Sequence, residues 1–419
     1  MIVGESPVIA FWLLVLISTR ILGAMLSGIR PLTDLERSVP LWPPAFPLTR
    51  WLERALIAPW DRWDVEWYAR IVTQGYQAGD GTTQFYPLYP LTAALLTRLG
   101  LPPIVALTLV SLAAGLGAML LFERLARRDM DLIRARRATL AFMLFPAGIA
   151  LFVPYSESMF LLGAIGSAWA ARAGRWEWVG LLAAVATLTR PQGLFLLLLL
   201  GPRIWTAQAG GWRWMGLWMA FVALLRPRGL CSWLLTNLRP RTRIRRAILA
   251  LATIPMALLL WHGYRILRLE GELPDVGAGL WIYVLLLSPH AHRVVPIQEF
   301  TWPWEAMRRA LIHFIRAPDL DLAVNLSVAL LFLTLTGLAW GRMDGGERLY
   351  TAAVVLSALS YHTGPVHPYM GLPRHLWIAF PVFLGLGRRG GRTLQVLPAL
   401  EMPGLLFLAG LFVLHAWVP

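Results

Sequence analysis

The segment Trp60-Asp61-Arg62-Trp63-Asp64-Val65-Glu66-Trp67-Tyr68 places two carboxylates three residues apart among four large aromatic side chains. On one helical turn Asp61 and Asp64 share a face. A carboxylate pressed against apolar rings is costly to ionise, so it holds a proton more firmly and suits the work of a general base. The same pair could bridge a divalent ion such as Mg²⁺ or Mn²⁺, which prefer oxygen ligands. The plain alternative is a loop lying on lipid headgroups, with Trp anchors and Asp in water. Further on, Phe85-Tyr86-Pro87-Leu88-Tyr89-Pro90 is a rigid extended stretch, because proline fixes φ and donates no backbone hydrogen bond. The hydroxyls of Tyr86 and Tyr89 could hold a sugar or a phosphate, or serve as ordinary belt aromatics.

Three later segments carry polar groups between apolar blocks. Pro154-Tyr155-Ser156-Glu157-Ser158 sets a carboxylate at a helix start, where Ser156 could cap and Glu157 suits the helix dipole. Thr189-Arg190-Pro191-Gln192-Gly193 puts an arginine at a helix break, and an arginine at membrane depth marks a pathway or an anionic partner. His362, His367 and the Pro373-Arg374-His375 run lie close together. Their spacing matches no common metal-ligand pattern, so no metal ligand is assigned.

These groups need elements to position them, and composition says which kind. The 419 residues are 57% hydrophobic and only 15% charged, with a mean hydropathy of +0.59. Soluble domains carry roughly 25% charged residues. The apolar residues sit in blocks of about 20, the length that spans a bilayer. Candidate helices cover 8–26, 102–122, 138–154, 157–172, 176–189, 192–206, 247–264, 320–341, 349–362, 374–387 and 403–418. The expectation is an all-α polytopic membrane protein of about 11 spans in one domain over 1–419. Interfacial helices are expected in its outer loops and at the Trp-rich stretches 212–225 and 278–288.

The formal net charge of +15 comes entirely from Arg, since the chain has no Lys. Its arginines crowd the short loops 123–137, 226–246, 342–348 and 388–392, as the positive-inside rule requires of cytoplasmic segments. Nucleic acid is therefore not the expected partner. The helices then alternate so that the loops near 27, 154, 190, 264 and 363 all face outward. The large outer loops are 27–101, with the catalytic motif, and 265–319. Residues 8–26 read as an uncleaved first helix, and the lone Cys231 excludes an intrachain disulfide. Arg20, inside that first helix, stands apart from the pattern. Every motif above falls on the outer side.

In that order the motifs resemble a known family. RWDVEWYARIVTQGY, QFYPLYP, PYSESMFLL, TLTRPQGL, WPWEAM and MGLPRHLWIAFPVF are similar to the PIG-V-like mannosyltransferases, relatives of GPI mannosyltransferase 2 within the GT-C glycosyltransferases. The resemblance implies a GT-C-type helical bundle that uses a polyprenyl-phosphate sugar, with mannose as the family's sugar. It needs no cofactor, and Asp64 aligns with the catalytic carboxylate. From the residues themselves, substrate contacts are expected of Trp63, Tyr68, Tyr86, Tyr89, Tyr155, Glu157, Arg190, Gln192, Arg374 and His375; Asp61, upstream of the signature, joins them with no family role. Tyr86 stands where the family more often has Phe, and Pro373-Arg374-His375 where Pro-Arg-Tyr is usual. The rival from another class is a lipid or glycan transporter, which would place charges in mid-helix and show two similar halves. The acceptor is not legible in the sequence.

Overall fold

The computed structural model describes residues 7–27, 56–206, 242–270, 293–295, 298–364 and 367–414. The stretches 212–225 and 278–288 lie outside the described residues. The apolar blocks do become helices, and prolines decide where several of them stop. We number them α1 (Pro7–Ser27), α2 (Asp64–Gln74), α3 (Leu88–Arg98), α4 (Pro103–Ala126), α5 (Leu132–Leu144) and α6 (Glu157–Arg172). Then come α7 (Trp176–Thr189), α8 (Leu196–Thr206), α9 (Thr242–Arg265), α10 (Pro303–Arg316) and α11 (Leu320–Trp340). The last four are α12 (Gly345–Ser360), α13 (Leu372–Trp377), α14 (Pro381–Arg389) and α15 (Gly391–Val413).

Among the described residues, five helical stretches are long and apolar enough to cross a membrane: Pro7–Leu26, Pro103–Ala126, Arg245–Leu269, Leu320–Trp340 and Gly391–Val413. Trp176–Thr189 and Pro191–Pro202 are shorter apolar helices. The block 138–154 is not one helix: Pro146 follows α5, and Pro146–Leu151 forms a 3₁₀ turn. Likewise 374–387 is divided between α13 and α14, with Pro381 at the first position of the second helix, where its missing N–H costs nothing. Residues 403–413 form the end of α15, which starts at Gly391 and runs through Pro398 and Pro403, and residues 415–418 of that block lie outside the described residues. The all-α expectation also misses a small antiparallel ribbon. β1 (Arg293–Val295) pairs with β2 (Gln298–Phe300), and β2 pairs with β3 (Tyr361–His362) through Glu299↔His362 and Phe300↔Tyr361.

Helices α4, α6, α7 and α9 pack side by side, each on the next, while α15 lies against α1, α5 and the 146–151 turn. The central helix α6 has a distinct ion cluster at each end. At its C-terminus Arg172 donates to Asp129 at 2.6 Å and to buried Glu347 at 2.8 Å. Arg388 binds the same two carboxylates, at 2.6 Å and 2.5 Å. Four segments on the arginine-rich side are thereby joined. Glu347 also completes a capping box with Asp344 at the start of α12, so one carboxylate serves the helix and the cluster. The opposite end of α6, about 22 Å away at 1.5 Å per residue, begins at Glu157.

Candidate active site

Asp64 opens α2, and the residue before it, Trp63, has φ +60° and ψ −120°. A non-glycine residue in that region stores about 1–3 kcal/mol of strain. This break separates Asp61, which closes the Ala58–Trp60 turn, from the helix that begins at Asp64. The two carboxylates therefore do not ride one helical turn. Two of the flanking rings have aromatic partners of their own. Trp60 is buried against Phe412 (5.8 Å between ring centroids), and Trp67 stacks on Phe85 at 5.9 Å.

What holds Asp64 is Arg374, whose Nη1 donates to Oδ2 at 2.6 Å. The same Nη1 lies 3.6 Å from Oε1 of Glu157. That oxygen is bound at 2.5 Å by Nη1 of Arg190. The second guanidinium nitrogen of Arg190 lies 3.1 Å from Nδ1 of His375. Arginine can only donate, so Nδ1 accepts and the neutral ring carries its proton on Nε2. Four segments far apart in sequence thus meet through two arginines and two carboxylates: the start of α2, the start of α6, the end of α7 and α13.

Each position has a local cause. Glu157 sits in the first turn of α6, beside the positive end of the helix dipole. Arg190 ends α7 in an extended conformation because Pro191 follows, and a proline disfavours helical backbone before it. Gly193 lets the chain fold back, since a Cβ there would lie 2.4 Å from the Cα of Thr187. Gly371 precedes α13 at φ +69°, and its missing Cβ leaves room for Nε of Arg374, 2.7 Å from where that carbon would be.

Burial controls the charges. It would pull the Arg374 guanidinium down, but Asp64, Tyr155 and Glu157 more than reverse this, and the group stays charged. Burial, with Arg374 and Arg190 nearby, holds His375 well below its usual 6.5, so the imidazole is neutral. Tyr155 is buried with the Arg374 guanidinium 4.8 Å from its ring centroid. Burial pushes its phenol well above 10 despite that neighbour. Its hydroxyl has no hydrogen-bond partner among the described residues, nor does Oε1 of Gln192.

The tyrosines divide. Tyr68 donates to Ser156 Oγ at 2.8 Å, and Arg190 reaches the same oxygen at 3.3 Å. Tyr89 meets Tyr68 edge-on at 4.8 Å and spends its hydroxyl on Leu107 O and Ser111 Oγ, so it props the site from behind. Tyr86 points elsewhere, its hydroxyl 3.5 Å from Nε2 of His262 on α9. Asp319, Asp321 and His367 bring ligand atoms within 4.8 Å of one another, away from the Asp61–Asp64 pair considered above. Asp319 already caps α11 there.

Residues 9–203 match the family model described as Mannosyltransferase (PIG-V). Over those residues, somewhat less than half of its length, the chain is similar to the glycosyltransferases of that family. No curated protein matches it. The family match includes Asp64, Tyr155, Glu157 and Arg190 but ends before Arg374 and His375, which enter the candidate site through geometry. Two features escaped the sequence reading. Ser156 makes no side-chain cap but accepts from Tyr68 and Arg190 instead. Arg20, isolated in the sequence pattern, donates to Phe152 O at 2.5 Å, with its guanidinium 4.5 Å from the ring of Trp60. A cation beside a tryptophan could have been suspected from the outer loop's Trp content, though not its partner.

Proposed function

We propose that this membrane mannosyltransferase moves mannose from a polyprenyl-phosphate donor to a lipid-linked or other acceptor on the extracytoplasmic face. The observation that supports this reading is the convergence of Asp64, Glu157, Arg190 and Arg374 at one end of α6. Asp64 takes the proton of the acceptor hydroxyl as that oxygen attacks the anomeric carbon. The bond from that carbon to the phosphate oxygen breaks on the opposite face, and configuration inverts. A phosphate leaves without an acid, so one base suffices. The charge left on it falls to Arg374 and Arg190, with the Nε2–H of His375 as a third donor. The cations of this scheme are guanidiniums, and no step draws on a metal ion. Tyr155, with its uncommitted hydroxyl, and Glu157 orient the sugar.

Membranes containing the protein should transfer label from polyprenyl-phosphate-mannose to one member of a panel of glycolipid and peptide acceptors. Asp64→Asn should fold and insert normally yet lower transfer by at least about 10³-fold, the scale of a lost general base. Near-normal turnover in that variant would remove Asp64 from the role.

A further inference from the structure

We propose that the Asp64–Arg374 ion pair is a latch opened by the donor's phosphate, so that the enzyme takes donor before acceptor. The inference rests on the reading of the site given above and adds an order of events. Oδ2 of Asp64 accepts from Arg374 at 2.6 Å, so this oxygen is turned to the guanidinium rather than to an incoming hydroxyl. The base of the donor-free enzyme is therefore engaged.

Charge explains what disengages it. Asp64 and Glu157 balance Arg190 and Arg374, and His375 is neutral. The donor brings one further negative charge on its phosphodiester, and that anion needs a cation already in use. The carboxylates are not equally able to yield. The Glu157 side chain is 1% exposed and clamped by Arg190, so freeing it would leave a charge stranded in apolar surroundings. Asp64 is 29% exposed, and water can solvate it once Arg374 turns away. The guanidinium has donors to spare, because Nε of Arg374 and Nε of Arg190 are buried without a partner among the described residues. Gly371 leaves the room that the Arg374 side chain now fills.

With the phosphate on Arg374, Oδ2 is free. The acceptor proton passes to it, the acceptor oxygen bonds to the anomeric carbon, and the electron pair of the broken bond leaves on the phosphate oxygen. That added charge lies against the two guanidiniums. An acceptor arriving first finds the base held by Arg374.

A latch makes Asp64 a competitor of the phosphate for Arg374, which sets a test independent of turnover. Citronellyl phosphate, a short isoprenyl phosphate, is titrated into purified wild type, Asp64→Asn, Arg374→Gln and the double variant by isothermal calorimetry. Asp64→Asn should bind it at least about fivefold more tightly than wild type, the lower end of ordinary coupling between sites. In the Arg374→Gln background the same change should shift affinity by less than about twofold. Unchanged or weaker binding by Asp64→Asn overturns the latch. So does an equal gain in both backgrounds, which would mean plain repulsion by the Asp64 charge. If Arg374→Gln does not fold, Arg374→Lys provides the second background, and Asp64→Ser checks the first change. Loss of transfer in Asp64→Asn with unaltered phosphate affinity sinks the latch alone. Retained transfer sinks the base reading instead.

Discussion

Arg190 illustrates how a residue chosen for chemistry can be bound into the fold. As an arginine at a helix break it reads as an anion binder whose loss would affect donor use before stability. The burial of its partner gives it a part in stability as well. Removing it leaves Glu157, a buried carboxylate, without its 2.5 Å partner. Breaking a buried pair from one side costs about 3–5 kcal/mol, because the remaining charge is uncompensated. Arg190→Ala should therefore lower the melting temperature sharply in detergent. Adding Glu157→Gln to Arg190→Ala should restore most of that loss while leaving the enzyme without transfer activity. Equal melting temperatures for wild type and Arg190→Ala would mean that Glu157 finds another cation.

At the scale of elements, the turn before α13 decides whether the arginine on it reaches the site. Gly371 meets two demands at once: a positive φ, and room for the Arg374 side chain. Gly371→Ala violates both, whereas Gly371→Asn violates mainly the second, since asparagine tolerates the left-handed region. Both variants should lose transfer activity, and the alanine variant should also lose about 1–2 kcal/mol of stability by thermal denaturation. Activity surviving in the asparagine variant would show that the guanidinium does not need that space. Such coupling was not legible in the sequence, where Gly371 is one glycine among 36. What was legible follows local rules. Helices α6 and α7 run over the residues their apolar blocks predict, and Pro191 stops α7 after Arg190 as the sequence requires. The reading failed where proline acts by context. Pro146 and Pro381 interrupt apolar runs that looked continuous, yet α15 continues through Pro398 and Pro403. Partners are likewise set by packing: no spacing could announce that Tyr86 turns to His262, or that Arg374 crosses to Asp64, 310 residues away.

At the scale of the whole molecule, α6 is the ruler. Its first residue lies in the Asp64–Arg374–Arg190 cluster, and its last lies in the Asp129–Glu347–Arg388 cluster. The arginine loops 123–137, 342–348 and 388–392 meet at the second end. Positive loops stay cytoplasmic, so we infer that the first end, with the site, faces outward. A cysteine-free background made by Cys231→Ala allows this to be tested with single cysteines at exposed positions: Ala78→Cys, in the loop after α2, and Arg127→Cys, in the arginine loop. In sealed right-side-out vesicles a membrane-impermeant maleimide should label position 78 at once, and position 127 only after the vesicles are opened. Turnover with donor supplied from outside should track the first pattern. The reverse labelling would turn the molecule over and move its chemistry to the cytosol. Labelling of both positions from one side would mean that the two clusters do not face opposite sides of the membrane.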